Sequence, residues 1–295
     1  MKPFTLTWTI SPAEAGKLLR ECLREKHISK AALTDIKFKG GHLLVNDEHV
    51  TVRYIVQAGD EVEVVFPPEI RSEDMAAECI PLDIVYEDDY VLVINKEAGI
   101  PTIPSREHPT GTLANALLGY YDTIGLMSTV HIVTRLDKDT SGLMLIAKNR
   151  FVHHLLAKQQ KTHKIARMYG AVVHGKVECA SGTIDAPIGR KDTSIIEREV
   201  RMDGQKAVTH YIIDSIGEGY SVVTLQLETG RTHQIRVHMS HIGHPLLGDD
   251  LYGGRTDVIE RQALHSKQLT FTHPFTDEQL MLHAELPEDM ARTVT

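Results

Sequence analysis

The sequence contains little cysteine and no long apolar segment. Its 295 residues include three cysteines, Cys22, Cys79 and Cys179, which lie far apart without the paired spacing of a disulfide framework or a thiolate metal site. No apolar run reaches the length of about 18 residues that a membrane helix needs, and the first residues lack the apolar core of a secretory signal. We therefore expect a protein of the reducing cytoplasm that does not associate with a membrane.

The chain also lacks an excess of basic residues. Its 32 Lys and Arg residues are outnumbered by 40 Asp and Glu residues, and the formal net charge at pH 7 is -8. Proteins that bind nucleic acid usually carry a positive excess, because their cations neutralise phosphates. A nucleic-acid partner would therefore need a local cluster of cations on this acidic protein.

Length and composition predict a soluble globular protein with two domains. At roughly 150 residues per domain, a chain of 295 residues suits two domains. With 42% hydrophobic and 24% charged residues, the chain can bury a substantial core. No segment combines the low hydrophobicity and high charge that are typical of disorder.

Residues 1–66 show the pattern of a small unit of helices and strands. Ser11 and Glu14 have the spacing of a capping box, which predicts a helix over 12–27. Ser29 is placed to cap a second, short helix. Short strands are expected at 43–45, 49–52 and 61–66, with a turn at Asn46-Asp47.

A polar segment with two prolines separates this unit from the rest of the chain. Residues 67–79 show no hydrophobic periodicity, which is typical of a linker. From residue 80 to 295, predicted strands occur in runs that are interrupted by single helices, near 113–120, 151–160 and 232–242. This order predicts an α+β domain built on a large, mixed, mostly antiparallel sheet.

The first candidate site is an aspartate on a loop between two predicted strands. Residues 133–149 read VTRLDKDTSGLMLIAKN, with the strands at 132–135 and 143–147. Asp137 on such a loop can face a cleft while the strands hold it still. The pattern fits equally an ordinary hairpin turn whose polar side chains bond to backbone groups, so both interpretations stay open.

The second candidate site lies at the start of the last of these helices, where residues 227–239 read LETGRTHQIRVHM. Ile235, Met239 and Ile242 share a face that should pack inward, which puts Arg236 at the edge of that face. An arginine there could meet Asp137 and keep it ionised and oriented. A purely structural ion pair fits these residues as well.

Together the two segments resemble the RluA/RluD family of pseudouridine synthases. Residues 135–142, RLDKDTSG, match the family's RLD-x-x-TSG pattern, and residues 229–236, TGRTHQIR, match its TGR-x-HQ(I/L)R pattern. The resemblance spans about residues 80–288. Its further matches are Asn95-Lys96, Ala98-Gly99, the strand at 169–175, His244-Pro245, Gly248-Asp249 and Ala263-Leu264-His265.

This resemblance implies an isomerase that converts uridine in structured RNA to pseudouridine without a cofactor or a metal. Asp137 would be the nucleophile or charge stabiliser that lets uracil leave its ribose, rotate and rejoin through carbon. Tyr169 would contact the base and accept a proton, Arg236 would pair with the aspartate, and Arg135 would help to extrude the target nucleotide. Read alone, Tyr169 would be an ordinary core tyrosine.

The N-terminal unit separately resembles the αL RNA-binding module first seen in a ribosomal small-subunit protein. The shared features are Leu18-Leu19, Ile28-Ser29-Lys30, Ile36, Gly41, Val45-Asn46 and Ala58-Gly59-Asp60. The resemblance implies a local basic surface on an acidic protein. The residues expected to contact RNA are Lys17, Arg20, Ser29, Lys30, Lys37 and Lys39, with Arg231 as a further candidate that could equally be structural.

Three positions depart from the family pattern. Thr134 stands where histidine is usual, Glu97 where proline usually follows the lysine, and Arg167 where lysine usually precedes the tyrosine. None of them removes a candidate catalytic residue. The expected partner is structured RNA, and the protein is expected to be a monomer. Ribosomal RNA is favoured because the two-domain layout resembles that of the large-subunit ribosomal enzymes, and transfer RNA is the alternative.

Two alternatives come from other functional classes. A non-catalytic RNA-binding factor could keep the fold, and a glycosidase could pair Asp137 with Asp139 as its second carboxylate. The 17 histidines also invite a metal site, but their spacing does not complete a familiar ligand set. The histidines in question are His153, His154, His238, His241 and His244.

Overall fold

Most strands of the described residues belong to two β-sheets, and a third sheet has only two strands. The computed structural model describes residues 3–72 and 75–294. A four-stranded sheet is built from the N-terminal part, and a ten-stranded sheet begins at Ile84. The larger sheet is mixed and mostly antiparallel, so the predicted α+β fold class is confirmed.

The N-terminal sheet has the strand order β1-β4-β2-β3, with each pair antiparallel. Asn46 and Asp47 both have positive φ, 52° and 65°, which is the conformation of the tight turn that joins β2 to β3. The turn predicted there is confirmed. The elements of this part are β1 (Thr5–Thr9), α1 (Leu19–Glu25), α2 (Lys30–Phe38), β2 (His42–Val45), β3 (Glu48–His49) and β4 (Glu61–Val65).

Helix α1 is shorter than the helix predicted over 12–27. The Glu14 carboxylate accepts hydrogen bonds from the Ser11 amide and hydroxyl, at 2.9 and 2.6 Å. The chain then turns at Gly16, whose φ is 83°, and the helix begins only at Leu19. The prediction is wrong over its first half, because this capping pattern closes a single turn and the left-handed glycine prevents it from continuing.

The C-terminal part carries the larger sheet, whose main path is β10-β13-β14-β9-β15-β8-β6-β5. Strand β16 pairs with β15 and β7 pairs with β8, while β11 and β12 form a separate hairpin. Its elements are β5 (Ile84–Glu87), β6 (Val91–Lys96), α3 (Leu113–Thr123), β7 (His131–Ile132), β8 (Ser141–Ala147), α4 (Arg150–Lys161), β9 (Ala166–His174), β10 (Ser181–Asp185), β11 (Ile188–Arg190), β12 (Arg198–Val200), β13 (Val208–Ile216), β14 (Tyr220–Leu227), α5 (Gln234–His241), a 3-10 turn (Asp250–Tyr252), β15 (Leu264–Thr272), β16 (Gln279–His283) and α6 (Glu288–Arg292).

Two strands end earlier than predicted. The strand expected at 49–52 is only β3, and the strand expected at 132–135 is only β7. After β7, the amides of Val133 and Thr134 both donate to the carbonyl of Leu145, at 2.9 and 3.3 Å. Two donors on one acceptor interrupt the ladder, as in a bulge, and release the chain toward Asp137.

Apolar side chains cover both faces of the large sheet. On one face, α3 and α5 pack against strand residues such as Ile94, Met144 and Leu225. On the other face, α4 contributes Val152 and Leu156. Because α5 lies on the same face as Leu136 and Tyr169, the start of this helix is brought to the candidate loop.

Aromatic side chains join the N-terminal part to α4 and the large sheet. Phe66 lies 5.0 Å from Phe151 and 5.1 Å from Phe4, measured between ring centroids. Tyr90 lies 6.1 Å from Phe4 and 4.1 Å from Phe275. These rings belong to one continuous apolar contact between the two parts, and such ring pairs stabilise it beyond the area that they bury.

The segment 67–79 contains no helix or strand in its described portion, and its Glu73 and Asp74 lie outside the described residues. The Glu69 carboxylate accepts hydrogen bonds from His131 Nε2 at 2.5 Å, the Thr129 hydroxyl at 2.7 Å and the Arg150 amide at 2.6 Å. Burial opposes its ionisation, but these hydrogen bonds lower the pKa of Glu69 to about 2. Glu69 therefore anchors the start of this segment to residues 129–150.

Candidate active site

A cleft lies where the 133–141 loop faces the start of α5. It encloses about 420 Å³, part of which is open to solvent. All four residues that the sequence predicted as catalytic line it, and so does Arg231. The lining residues are Arg135, Leu136, Asp137, Thr140, Arg167, Tyr169, Leu227, Gly230, Arg231, His233, Gln234, Ile235, Arg236 and Leu264.

Asp137 and Arg236 form an ion pair at the floor of the cleft. Arg236 Nη1 donates to Asp137 Oδ2 at 3.2 Å, and the Asp137 side chain is 27% exposed. The Arg236 side chain is nearly buried, as its predicted position at the edge of the α5 face implied. The Asp137 carboxylate is therefore held by a cation and still reaches the open part of the cleft.

A second carboxylate holds Arg236 in place. Asp249, which is 1% exposed, accepts from Arg236 Nε at 2.7 Å and from Nη2 at 2.8 Å. Burial alone would lower the pKa of Arg236, but the carboxylates of Asp249 and Asp137 outweigh it and raise that pKa. The guanidinium therefore stays charged and fixed in a two-pronged geometry, with its third nitrogen aimed at Asp137.

Buried Lys96 fastens the loop that carries Asp137. Its ammonium donates to the carbonyls of Glu97, Ile100 and Lys138, at 2.7, 3.0 and 2.8 Å. Burial lowers the pKa of Lys96 to about 8, against the opposing effect of Asp139. In the sequence this lysine was only part of an Asn-Lys match. The signal for its structural role was its position as the last residue of the buried strand β6.

The three departures from the family pattern occupy ordered positions. The Thr134 hydroxyl accepts from the Leu145 amide at 2.9 Å and so satisfies the backbone beside the loop. Glu97 contributes its carbonyl to Lys96. Arg167 donates to the Tyr169 hydroxyl at 3.4 Å and lines the cleft. Each residue therefore supports the site without blocking it.

Tyr169 lies in the wall of the cleft on β9. It is 3% exposed and packs within the main core, opposite Leu225 and Ser266 on the neighbouring strands. Its hydroxyl accepts the hydrogen bond from Arg167. The ring is thus a core residue, as its type suggests, and its hydroxyl is at the same time directed to the cleft.

Gln234 fixes the turn that precedes α5. Its side-chain oxygen accepts from the Thr229 hydroxyl at 2.8 Å and the Arg231 amide at 3.0 Å. Its side-chain nitrogen donates to the Val208 carbonyl at 2.9 Å and to Thr209 Oγ1 at 3.0 Å. Both ends of one buried amide are used, which ties the TGR turn to β13.

His233 marks a start of α5 later than the predicted Thr232. Its φ of 56° and ψ of 21° are left-handed, so the helix begins at Gln234. Its Nε2 lies 3.9 Å from Asp137 Oδ2, and its Nδ1 lies 2.8 Å from the Tyr252 hydroxyl. The sequence analysis assigned no role in the site to His233, Tyr252 or Asp249. The signal that could have found them was their position within or beside the matched motifs.

Three of the predicted RNA contacts are already engaged within the N-terminal part. Lys17 pairs with Glu25 at 2.9 Å and Lys39 with Asp35 at 2.8 Å. Ser29 caps α2 by accepting from the Ala32 amide at 3.1 Å, which confirms its predicted capping role. These side chains would have to exchange partners in order to meet RNA.

The other predicted contacts are more open. Arg20, Lys30 and Lys37 are exposed, and none of them forms an ion pair with another described residue. Lys30 and Lys37 lie seven residues apart, which places them on the same face of α2. Arg231 lines the cleft while its Nε donates to the Lys206 carbonyl at 3.0 Å.

Two of the histidines considered as metal ligands, His238 and His244, have other partners. His238 is buried, with one ring nitrogen 2.8 Å from Thr209 Oγ1 and the other 2.9 Å from the Ala186 carbonyl. His244 Nδ1 bonds the His174 carbonyl at 2.9 Å. Within residues 3–72 and 75–294, no group of three His, Cys, Asp or Glu side chains is arranged to hold a metal.

No helix in the described ranges has the length and apolar character needed to cross a membrane. 

The sequence and the fold match known proteins. The sequence model of the family described as RNA pseudouridylate synthase matches residues 90–241. An uncharacterized RNA pseudouridine synthase of Bacillus subtilis, YjbO, is 56% identical over 276 residues, which cover 94% of this chain and 98% of that protein. The ribosomal large subunit pseudouridine synthase D of Vibrio parahaemolyticus is 41% identical over 303 residues, covering 97% and 92%.

A solved structure agrees with these sequence matches. Human RNA pseudouridylate synthase domain containing 1 superimposes with a TM-score of 0.59 and 26% identity, over 71% of this chain and 85% of that one. The class defined by these matches is an isomerase that makes pseudouridine in RNA. The chain belongs to the RNA pseudouridylate synthase family, as its two motifs predicted.

Proposed function

We propose that the protein isomerises uridine in large-subunit ribosomal RNA, with Asp137 as the catalytic carboxylate. The observation that carries the proposal is the Asp249–Arg236–Asp137 arrangement, which holds the Asp137 carboxylate against a fixed cation and leaves it open to a cleft. The choice of RNA rests on relatives such as the Vibrio parahaemolyticus enzyme, whose name specifies the large ribosomal subunit and which matches 97% of this chain.

In this proposal the reaction breaks the bond between uracil N1 and ribose C1′ and forms a bond between C5 and C1′. Asp137 acts as the nucleophile or stabilises the charge that develops on the sugar. The C5 hydrogen leaves as a proton to the Tyr169 oxygen, which lines the cleft beside Arg167 and passes its own proton on to solvent, while N1 gains a proton from solvent. No electron is gained or lost, since the product is an isomer of the substrate.

Arg135 would take part in the exposure of the base. A paired uracil must leave its stack to reach Asp137, at a cost of a few kcal/mol. Arg135 lines the cleft and is exposed, so its guanidinium can contact the phosphates or the gap that the base leaves behind. Arg231, on the opposite side, would contact the backbone of the same strand.

We also propose that residues 1–66 bind RNA, that 67–79 connect the two domains, and that 80–295 form the catalytic domain. The exposed cations Arg20, Lys30 and Lys37 support the first part, since they can neutralise phosphates in spite of the net charge of -8. The protein would act in the cytoplasm, where its three free cysteines stay reduced.

The experiment compares wild type with Asp137→Asn on RNA that carries tritium at uracil C5. We expect wild type to release label as the carbon–carbon bond forms, and Asp137→Asn to release at least about a thousandfold less, the scale seen when a nucleophile is removed. Large-subunit ribosomal RNA and transfer RNA are tested side by side. Release from transfer RNA alone would overturn the choice of substrate.

Asp139→Asn is the matched control, because it removes a carboxylate from the same loop. It should keep the activity of wild type within a few-fold, whereas a glycosidase-like pair would lose activity with either residue. RNA binding is measured for all three proteins. If wild type bound RNA but released no label, the non-catalytic RNA-binding factor would be the better description.

A further inference from the structure

A chain of polar contacts leads from the β12 strand to the candidate catalytic carboxylate. The Arg198 amide donates to the Tyr252 hydroxyl at 2.9 Å. The same hydroxyl lies 2.8 Å from His233 Nδ1, and His233 Nε2 lies 3.9 Å from Asp137 Oδ2. Of these three residues, His233 is the one whose side chain faces Asp137.

The direction of the first hydrogen bond favours one direction for the second. A backbone amide can only donate, so the Tyr252 oxygen accepts from Arg198. Among the described residues, His233 Nδ1 is the one remaining atom within hydrogen-bond distance of the Tyr252 hydroxyl, so the hydroxyl hydrogen has a protein acceptor only if it points to Nδ1. Because a neutral imidazole has one protonated nitrogen, His233 carries its proton on Nε2, toward Asp137.

The surroundings of His233 favour this neutral form. Its side chain is 12% exposed, and burial, with help from Arg236 and Arg198, lowers the pKa of His233. Asp137 and Asp249 act in the opposite direction and do not outweigh it. A neutral imidazole next to Asp137 can donate a hydrogen bond without neutralising the carboxylate by a full charge.

The backbone at His233 directs the ring to this place. His233 has a left-handed conformation that a non-glycine residue adopts rarely, although histidine tolerates it better than most. Such a conformation persists only where the surroundings hold it, and Gln234 with its four hydrogen bonds provides that support. Tyr252 adds an edge contact with the ring at 5.7 Å.

We propose that His233 is a positioning residue, and that Tyr252 sets its tautomer so that Nε2–H becomes the second donor to Asp137 when RNA fills the cleft. At 3.9 Å this contact is longer than a hydrogen bond, so it must shorten in the complex. The proposal rests on the proposed role of Asp137. Arg236 would hold Oδ2 from one side and His233 from the other, which selects the carboxylate rotamer that reaches the sugar.

Tyr252→Phe tests this role, because it removes only the hydroxyl and keeps the ring that lies 5.0 Å from the Arg236 guanidinium. We expect kcat for tritium release to fall at least about tenfold, as for other supporting hydrogen bonds, with KM for RNA unchanged. The acid limb of the kcat profile should move up by about one pH unit, because Nδ1 can then take a proton.

His233→Asn provides a second variant, since asparagine accepts the left-handed backbone. It should lower kcat to a similar extent, and the double variant should lose little more, because both changes break the same link. Tyr220→Phe, a tyrosine in another apolar cluster, is the control and should leave kcat and its pH profile unchanged. Additive losses, or an unmoved profile with reduced stability, would overturn the proposal.

A measurement on the unreacted protein separates this proposal from the proposed function. The ¹⁵N shifts of the His233 ring at neutral pH should show a neutral imidazole with its proton on Nε2, and Tyr252→Phe should lose that preference. A proton on Nδ1 in wild type would overturn the inference even if Asp137 is catalytic. Full activity of Asp137→Asn would instead remove the proposed function and leave the tautomer intact.

Discussion

Asp249 shows how much of the site depends on one buried residue that does not line the cleft. Its two oxygens hold two nitrogens of Arg236, and only the remaining nitrogen reaches Asp137. Because the pair is buried, removing one partner leaves an uncompensated charge, which is more harmful than losing the pair as a whole. The orientation of the Asp137 carboxylate thus depends on a residue more than a hundred positions away in sequence.

Asp249→Asn should therefore reduce both activity and stability. We expect the free energy of unfolding to fall by about 3 kcal/mol, and kcat for tritium release to fall at least about tenfold. Urea denaturation and the tritium assay measure the two effects. The matched control is Asp250→Asn at the exposed neighbouring position, which should stay within about 0.5 kcal/mol of wild type. Equal behaviour of the two variants would contradict the buried-pair argument.

At this scale, motif resemblance identified Asp137 and Arg236 and predicted that they would meet. It could not identify the contacts of Asp249, Tyr252 and Lys96, because a motif match marks a residue and does not show which other segment it contacts. The motif alone also leaves open whether the Asp137 side chain caps its own turn. The hydrogen bond from Arg236 shows that the side chain instead faces α5.

Strand β8 directly follows the loop that carries Asp137, and its first residues lie unusually close to β15. Gly142 has a φ of 112°, and a Cβ at this position would lie 2.4 Å from the Ser266 carbonyl oxygen and 2.5 Å from its nitrogen. Here the two strands pair in parallel. Glycine is thus required twice, for its backbone conformation and for the close approach.

Gly142→Ala separates these two requirements when compared with Gly219→Ala. Gly219 also has a positive φ, 80°, but open space surrounds its missing Cβ. We expect Gly219→Ala to lower the free energy of unfolding by about 1 kcal/mol, and Gly142→Ala to lower it by at least about 3 kcal/mol. Urea denaturation gives both values. Similar losses would mean that the backbone of Ser266 moves aside easily.

The elements were predictable where their apolar pattern is strong. Helices α3 and α4 and strands β6 and β8 follow clear hydrophobic patterns, and all were predicted. Strand β15 was missed because it buries polar residues, among them His265 and Ser266, which hide its pattern. Helix α1 was misplaced because a capping pattern has the same sequence whether it begins a helix or a single turn.

The whole molecule is joined by an apolar contact and by a few polar contacts of the connecting segment. Besides Glu69, Arg71 donates from Nε to the Ser128 carbonyl and from Nη2 to the Leu126 carbonyl, each at 3.0 Å, and also pairs with Asp122. The described part of this segment has no helix or strand, as its prolines and polarity predicted, and its role as a linker stays a prediction. Its anchoring contacts could not be predicted, since the partners belong to other parts of the chain.

Glu69→Gln should weaken this joint in a pH-dependent way. The carboxyl pKa lies below its ordinary value of 4.5, at about 2, so ionised Glu69 contributes roughly 3 kcal/mol of stability above pH 4.5. This contribution is lost as the pH falls toward 2. The difference in unfolding free energy between wild type and Glu69→Gln should therefore be largest near neutral pH and shrink steadily in acid, as followed by urea denaturation.

Glu48→Gln, at an exposed position on β3, is the control for this comparison. It removes the same charge and should differ from wild type by less than about 0.5 kcal/mol at every pH. A Glu69→Gln protein whose difference from wild type did not change between pH 7 and pH 3 would show that the Glu69 hydrogen bonds do not depend on its charge.

The aromatic contact through Phe66 and Phe151 has a consequence for the choice of target. With this contact and the Glu69 anchor in place, the span from the exposed cations of α2 to Asp137 is set by the protein alone. If α2 binds RNA, as proposed, the protein fixes the distance between that RNA contact and Asp137. The target uridine would then be selected by its distance from the RNA segment bound to α2, as well as by the neighbouring bases.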